Sequence, residues 1–441
     1  MENQTQDPSP RWALLDRLGH RDDHADADSG TVASSQTSAG KKIYMSLRIA
    51  APPATSRLYL RWQYGPTKKD PSFLYPRVVA VHGDAVLFQL ISPSPPKRPR
   101  PIDYFVYTAR GAARPPSLSL LKPYATKPVS PRQRMVDWKA IGILRPSLNA
   151  YAVAELSTTG DSLVGFELCC LIRSPQMTVD KWKVSRVEVV DEKGRNPELP
   201  SWESDAVVPV GDDRLLCWVD YHKGILLGDV FAANSAFRFE QLPRLPAEPR
   251  RANHEAVPTP DASRSLCASG DDGGTVRFVS VDRDPWPGVF RVTIWTLRKN
   301  RDGSMAWDKD VGVNAAELWA FSGYDPLPRV PPEYPVLSMD DPDTLCFLVR
   351  EGSDTVRLVE VDMKRRTVRS VTCYGKEESR RKRKREDMRP VGYYQEGTQR
   401  MSSWYAPGPD KEKEDDVNIT STKLFHGHPF LPCSSKIVFR W

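Results

Sequence analysis

The chain lacks several features that would assign it a class at once. None of its apolar runs approaches the about 18 consecutive residues that a membrane-spanning helix needs. The opening "MENQTQDPSPRW" has no apolar signal-peptide core, and it is not the Arg-rich, acid-poor leader of an organelle precursor. The expected location is therefore the cytoplasm, the nucleus or both, with no membrane as partner. Cysteines number only seven, an odd count, and no two stand as C-x-x-C, which argues against a disulfide or zinc framework and for buried free thiols. No G-x-S-x-G, phosphate-binding Gly-rich loop, H-E-x-x-H or kinase motif set occurs. An enzyme of a known motif class is not expected, and no catalytic residue, metal ligand or cofactor is assigned. Long amphipathic helical patterns are also missing.

What the chain has in quantity is proline, 40 residues in 441, falling between apolar runs rather than inside them. Proline removes a ladder donor, so it punctuates strands and stops helices. The runs between are four to eight residues long, rich in Val, Leu, Phe, Tyr, Trp and Cys. They fall into five groups of four, over 77–122, 140–190, 206–242, 265–311 and 334–374. Four-strand groups in series describe the blades of an antiparallel β-propeller, each a small sheet whose faces are buried by its neighbours. "RWALLDR", "KKIYMSLRI" and "RLYLRWQY" near the N-terminus and "SSKIVFRW" at the C-terminus read as strands of a composite sixth blade. The expectation is an all-β propeller-like fold of about six four-stranded blades in a single domain over 10–441. Two segments read as disordered from their polarity: 20–42, and the charged insertion 375–418.

Three hairpins, "LLCWVDYHKGILLGDV", "SLCASGDDGGTVRFVSVD" and "TLCFLVREGSDTVRLVEVD", begin alike at Cys217, Cys267 and Cys346. The first gathers Asp220, His222 and Asp229 within ten residues, which suggests acid/base or metal chemistry. Its sisters carry Asp271-Asp272 or Glu351 to Asp354 at the turn and no histidine, so a structural strand-turn-strand reading is preferred. Alternation then puts Leu216, Trp218 and Asp220 on one face and Cys217, Val219 and Tyr221 on the other, with Gly224 supplying a positive φ in the turn. "DDHADADSG" misses the spacing of a calcium loop, and His426 with His428 and Cys433 lacks a second pair of zinc ligands.

The strongest functional signal is the run Arg380, Arg381, Lys382, Arg383, Lys384 and Arg385. Six consecutive cations stay solvated and suit the acidic groove of a nuclear import receptor. Outside this run the chain, formally +7, is near balance, so nucleic-acid binding is not implied by net charge. A chromatin or nucleic-acid role through the run is an alternative.

"RWALLDRLGHRDD", "SLSLLKPY", "LCWVDYHKGILLGDVF", "FRFEQLP" and "HGHPFLP" resemble the uncharacterised plant proteins, expanded in grasses, catalogued as domain of unknown function 1618. The signature is densest over 200–330, where Trp218, Asp220, Tyr221, Gly224, Ile225, Leu226 and Asp229 make up the family motif. The resemblance implies a propeller-like fold similar to F-box-associated domains, without an established activity. Together these readings expect a non-enzymatic protein-interaction scaffold with an unknown protein partner. The rival is a propeller hydrolase or lyase, to be favoured by carboxylates and histidine from several blades meeting at one end of the channel.

Overall fold

The structure is a computed structural model that describes residues 11–21, 30–62, 75–92, 101–109, 111, 114–121, 137–159, 165–174, 182–199, 201–211, 214–232, 236–243, 259–270, 273–284, 286, 288–352, 355–374 and 436–440. The basic run 380–385, the insertion 375–418, the 22–29 stretch, Asp271-Asp272 and the His426/His428/Cys433 group all lie outside the described residues.

The short apolar runs form strands. They are β1 (Trp12–Asp16), β2 (His20–Arg21), β3 (Ala33–Gln36), β4 (Lys42–Arg48) and β5 (Thr55–Arg61), then β6 (Arg77–His82), β7 (Ala85–Ile91), β8 (Ile102–Thr108) and β9 (Ser117–Leu120). There follow β10 (Ile141–Ser147), β11 (Ala150–Thr158), β12 (Phe166–Arg173) and β13 (Trp182–Val187), and β14 (Val189–Val190), β15 (Ala206–Val210), β16 (Leu215–Asp220), β17 (Gly224–Asp229) and β18 (Phe237–Gln241). The last third holds β19 (Arg264–Ser269), β20 (Thr275–Arg283), β21 (Phe290–Lys299) and β22 (Met305–Asn314), the helix α1 (Ala315–Trp319), β23 (Glu333–Leu337), β24 (Thr344–Glu351), β25 (Thr355–Asp362) and β26 (Thr367–Tyr374), and β27 (Lys436–Arg440).

These strands make six sheets, the blades of a β-propeller. Blade 1 is composite: β27 pairs antiparallel with β1 from Trp12↔Arg440 to Asp16↔Lys436, so strands from both ends of the chain meet in one sheet. Blades 2, 3, 5 and 6 are the meanders β6–β9, β10–β13, β19–β22 and β23–β26, and blade 4 is β15–β18 with β14 added at its outer edge. The first strands touch in sequence, β27 to β6, β6 to β10, β10 to β15, β15 to β19 and β19 to β23, which places them innermost around the axis. Six hydrophobic clusters fill the six joints, one between each adjacent pair of blades, and the one around Trp12, Leu14, Cys346 and Leu348 lies between blades 6 and 1. Inner strands such as β1, β7 and β16 are thus buried on both faces, which explains why they read as near-continuous apolar runs.

Two expectations need correction here. The 20–42 segment holds structure: β3 pairs with β4 from Ala33↔Met45 to Gln36↔Lys42. Serines and Gln36 suit an outermost strand, and Thr37 anchors the following turn by accepting the Lys41 N–H at 3.1 Å. The expected plan of six mainly four-stranded antiparallel blades is present, with additional strands in blade 1, where β5 runs parallel to β1, and in blade 4, where β14 runs parallel to β18. Lastly, the three Leu-Cys hairpins are not equivalent. Cys217 and Cys346 lie on second strands, β16 and β24, whereas Cys267 lies on the first strand β19. The shared pattern belongs to any strand buried on both faces, so it repeats per strand and not per blade.

Candidate functional site at the channel mouth

The hairpin of β16 and β17 separates its suggestive acids. Asp220 pairs with Gly224 at one end and Asp229 with Leu215 at the other. Five residue steps, roughly 17 Å, lie between the two positions. Asp229 accepts the Phe231 N–H at 2.8 Å and pairs with Arg214 at 2.9 Å, a turn-closing role. Asp220, 2% exposed, accepts the N–H of His222 at 3.0 Å and of Glu203 at 3.2 Å and the Lys223 ammonium at 2.8 Å. All the capacity seen is spent on bracing the local turn and the 201–204 segment.

Alternation sends Leu216, Trp218 and Leu226 into the joint between blades 3 and 4, and Cys217, Val219, Tyr221 and Ile225 into that between blades 4 and 5. Trp218 stacks on Phe237 at 5.3 Å and donates its indole N–H across the joint to Ala140 O at 2.9 Å. Gly224 does not have a positive φ, contrary to the sequence expectation. It is required because a Cβ there would lie 2.5 Å from Glu240 O and 2.5 Å from the Phe239 ring.

Asp220, Tyr221 and His222 stand at the end of the ring where the innermost strands begin. From blade 1, Arg17 lies 5.0 Å over the Trp138 indole, and Arg77 of blade 2 lies 4.9 Å over the same ring. Lys139, ahead of β10, reaches Asp205, ahead of β15, at 3.5 Å. Arg264 of blade 5 donates to Tyr221 O at 2.9 Å and approaches His222 Nδ1 at 3.3 Å. Five blades therefore contribute charged or aromatic groups to one mouth. Burial pushes the Asp205 carboxyl above its ordinary range, although it accepts the Tyr221 N–H at 3.0 Å. Burial, with the nearby Asp205 and Asp261 carboxylates, raises the Tyr221 phenol well above normal.

The mouth was only half legible. The Asp-His cluster drew attention to its blade 4 portion, while Arg17, Arg77, Trp138, Lys139, Asp205 and Arg264 were passed over. Arg77, Trp138, Lys139, Asp205 and Arg264 share one signal, a polar or aromatic residue at or just before the start of an innermost apolar run, whereas Arg17 follows the second strand β1. Among the described residues no group of three His, Cys, Asp or Glu could hold a metal. Cys169, Cys170, Cys217, Cys267 and Cys346 are buried thiols outside any disulfide, while Cys373 is exposed on the outer strand β26, against the expectation of burial. Burial pushes Cys267 up to about 11 and Cys170 up to about 12, so neither is a thiolate at neutral pH.

Residues 218–346 match the family model described as "Protein of unknown function (DUF1618)". The match opens at Trp218 and spans blade 4 through β24. No curated protein matches the chain. Among solved structures, the BP39L lectin of Burkholderia pseudomallei is 11% identical over 83% of this chain and 98% of its own, with a TM-score of 0.31. The α-L-arabinofuranosidase Arb93A of Fusarium graminearum is 12% identical over 80% and 98%, TM-score 0.31. The tail fiber of Staphylococcus aureus phage P68 is 7% identical over 78% and 83%, TM-score 0.20.

Proposed function

We propose that the protein is a non-enzymatic interaction scaffold whose closed ring presents loops to a protein partner. The observation that carries this reading is Trp286, 75% exposed at the tip of the loop between β20 and β21. A bare indole on a soluble surface is costly, and tryptophan is enriched among the anchors of protein interfaces. The loop's described residues are tied to one another. Trp286 N–H donates to Asp284 Oδ1 at 3.1 Å, Asp284 N–H to Val289 O at 2.9 Å and Val289 N–H to Trp286 O at 3.2 Å. Such preorganisation lowers the ordering cost of binding. Binders recovered with wild-type bait are to be purified and titrated against wild type and Trp286→Ala. An at least tenfold loss is expected, and equal affinity for every binder defeats the reading.

Plant origin and kinship with F-box-associated domains, implied by the resemblance, belong to the same proposal. So does nuclear entry through Arg380 to Arg385 and an import receptor. Replacing all six by alanine is expected to leave a fluorescent fusion in the cytoplasm; an unchanged distribution defeats that part.

The rival hydrolase or lyase reading draws support from one observation, the raised Asp205 carboxyl beside Tyr221 and His222. Against it, both Asp205 oxygens are engaged, by Tyr221 N–H and by Lys139. Turnover of a substrate that Asp205→Asn abolishes would establish the rival.

A further inference from the structure

Blade 1 turns one face of β4 and β5 to the core and the other away from it. Ile43, Met45, Leu47, Leu58 and Leu60 enter the joint with blade 2. Strict alternation puts Lys42, Tyr44, Ser46 and Arg48 of β4 and Arg57, Tyr59 and Arg61 of β5 on the opposite face. The register pairs Tyr44 with Arg61, Ser46 with Tyr59 and Arg48 with Arg57. Four cations and two tyrosines therefore occupy one surface, and neither strand contributes an acid to it. The acid from outside is Asp16 on β1, paired with Arg57 at 3.3 Å.

The groups are organised. Arg61 lies 4.3 Å over the Tyr44 ring and Lys42 5.1 Å over it, while Arg48 lies 4.5 Å over Tyr59. His20 of β2, in register with Tyr59, brings its ring to 5.6 Å. Lys42 and Arg48 are exposed, and Tyr44, Tyr59 and Arg61 are half-buried. Positions two apart on a strand are about 6.8 Å apart and neighbouring strands about 4.8 Å, so the cations form a lattice across one sheet face.

From this juxtaposition we infer that the Lys42/Tyr44/Arg48/Tyr59/Arg61 face of blade 1 binds single-stranded nucleic acid, cations taking phosphates and the ring and guanidinium planes taking bases. A sheet face carrying aromatics among cations suits splayed bases, whereas a duplex hides its bases from such a surface. Among the described residues this face sets four cations against one acid, Asp16, and that balance is what complements the strand. The inference is independent of the scaffold reading, which rests on blade 5.

The test uses the full chain with Arg380 to Arg385 replaced by alanine, so that the basic run contributes nothing. A fluorescein-labelled twelve-nucleotide oligouridylate is titrated by anisotropy, beside a duplex of equal length and a peptide of residues 410–416, the chain's own acidic block. Binding in the micromolar range is expected at about 50 mM salt, with log K falling against log salt at a slope of about −2 to −3 for three or four neutralised phosphates. The Lys42→Glu/Arg48→Glu pair, both exposed, is expected to weaken binding at least thirtyfold and flatten that slope. Tyr59→Ala, which leaves the charges, is expected to weaken it about tenfold with the slope kept. Undetectable binding, affinity unchanged in the charge-reversed protein, or tighter binding of the duplex or of the acidic peptide overturns the inference.

Discussion

Trp218→Phe tests whether this buried tryptophan pins two blades together. Trp218 is fully buried, and its indole N–H reaches from the second strand of blade 4 to Ala140 O at the start of blade 3's innermost strand. Phenylalanine keeps the stacking on Phe237 and removes the donor. Leaving a buried carbonyl without that donor costs about 1–3 kcal/mol. The lost ring volume, roughly 40 Å³, adds about 1 kcal/mol at about 24 cal/mol per Å³ of cavity. The expected loss is thus about 2–4 kcal/mol, read from urea denaturation followed by circular dichroism, which does not depend on the tryptophan removed. Trp286→Phe serves as the control, because an exposed substitution stays within about 0.5 kcal/mol. A loss below about 1 kcal/mol at Trp218 would refute the cross-blade pin and leave the tryptophan as mere filling.

Gly224→Ala is expected to destabilise by about 1–3 kcal/mol through overpacking. Adding Phe239→Ala is expected not to rescue it, since the clash with Glu240 O remains; full rescue by the double change would show that the ring alone excludes a side chain. Removing residues 436–441 strips β1 of its antiparallel partner and exposes an edge. Self-association in size-exclusion chromatography is expected; an intact monomer with unchanged melting would refute ring closure by β27. Two acids should respond to pH with opposite sign. Burial acts to raise Asp362, but the Arg365 N–H and the Arg369 guanidinium outweigh it and hold the carboxyl below its ordinary range. Its contribution is present above the unfolded value of about 3.9 and is lost as pH falls through the lower folded value. Asp205, raised by burial, contributes fully below about 3.9 and loses that contribution as pH rises through its higher folded value. Stability measured across pH should flatten on the acid side with Asp362→Asn and just above pH 4 with Asp205→Asn; unchanged curves would refute both assignments.

The blades were legible because proline and polar turns separate runs that must be apolar on both faces. All five groups read from the sequence correspond to sheets, and the terminal runs correspond to the sixth. The helix α1 was missed although it is signed. Asn314 accepts the Glu317 N–H at 2.9 Å and Glu317 accepts the Asn314 N–H at 2.8 Å, a reciprocal cap visible in "NAAELW". Its five residues are too few for helical periodicity to show. The role of Gly224 was illegible for another reason: what excludes a side chain there is the backbone of β18, and no local pattern announces a neighbour's carbonyl.

Net charge hides the basic face of blade 1 for a related cause. It averages over the chain, whereas a sheet sorts residues by parity. "KIYMSLR" and "RLYLR" were read as strands from the alternation that buries Ile43, Met45, Leu58 and Leu60, and the same parity sends Lys42, Tyr44, Arg48, Arg57, Tyr59 and Arg61 to the other face. What the sequence withheld was the register. Tyr44 opposite Arg61 and Ser46 opposite Tyr59 interleave rings and cations, while a slip of one residue would place cations opposite the buried leucines. Burial of the apolar face is therefore what fixes the charged one. A substitution that loosens Leu58 or Leu60 in the blade 1–2 joint should disorder the basic lattice without touching any of its charges.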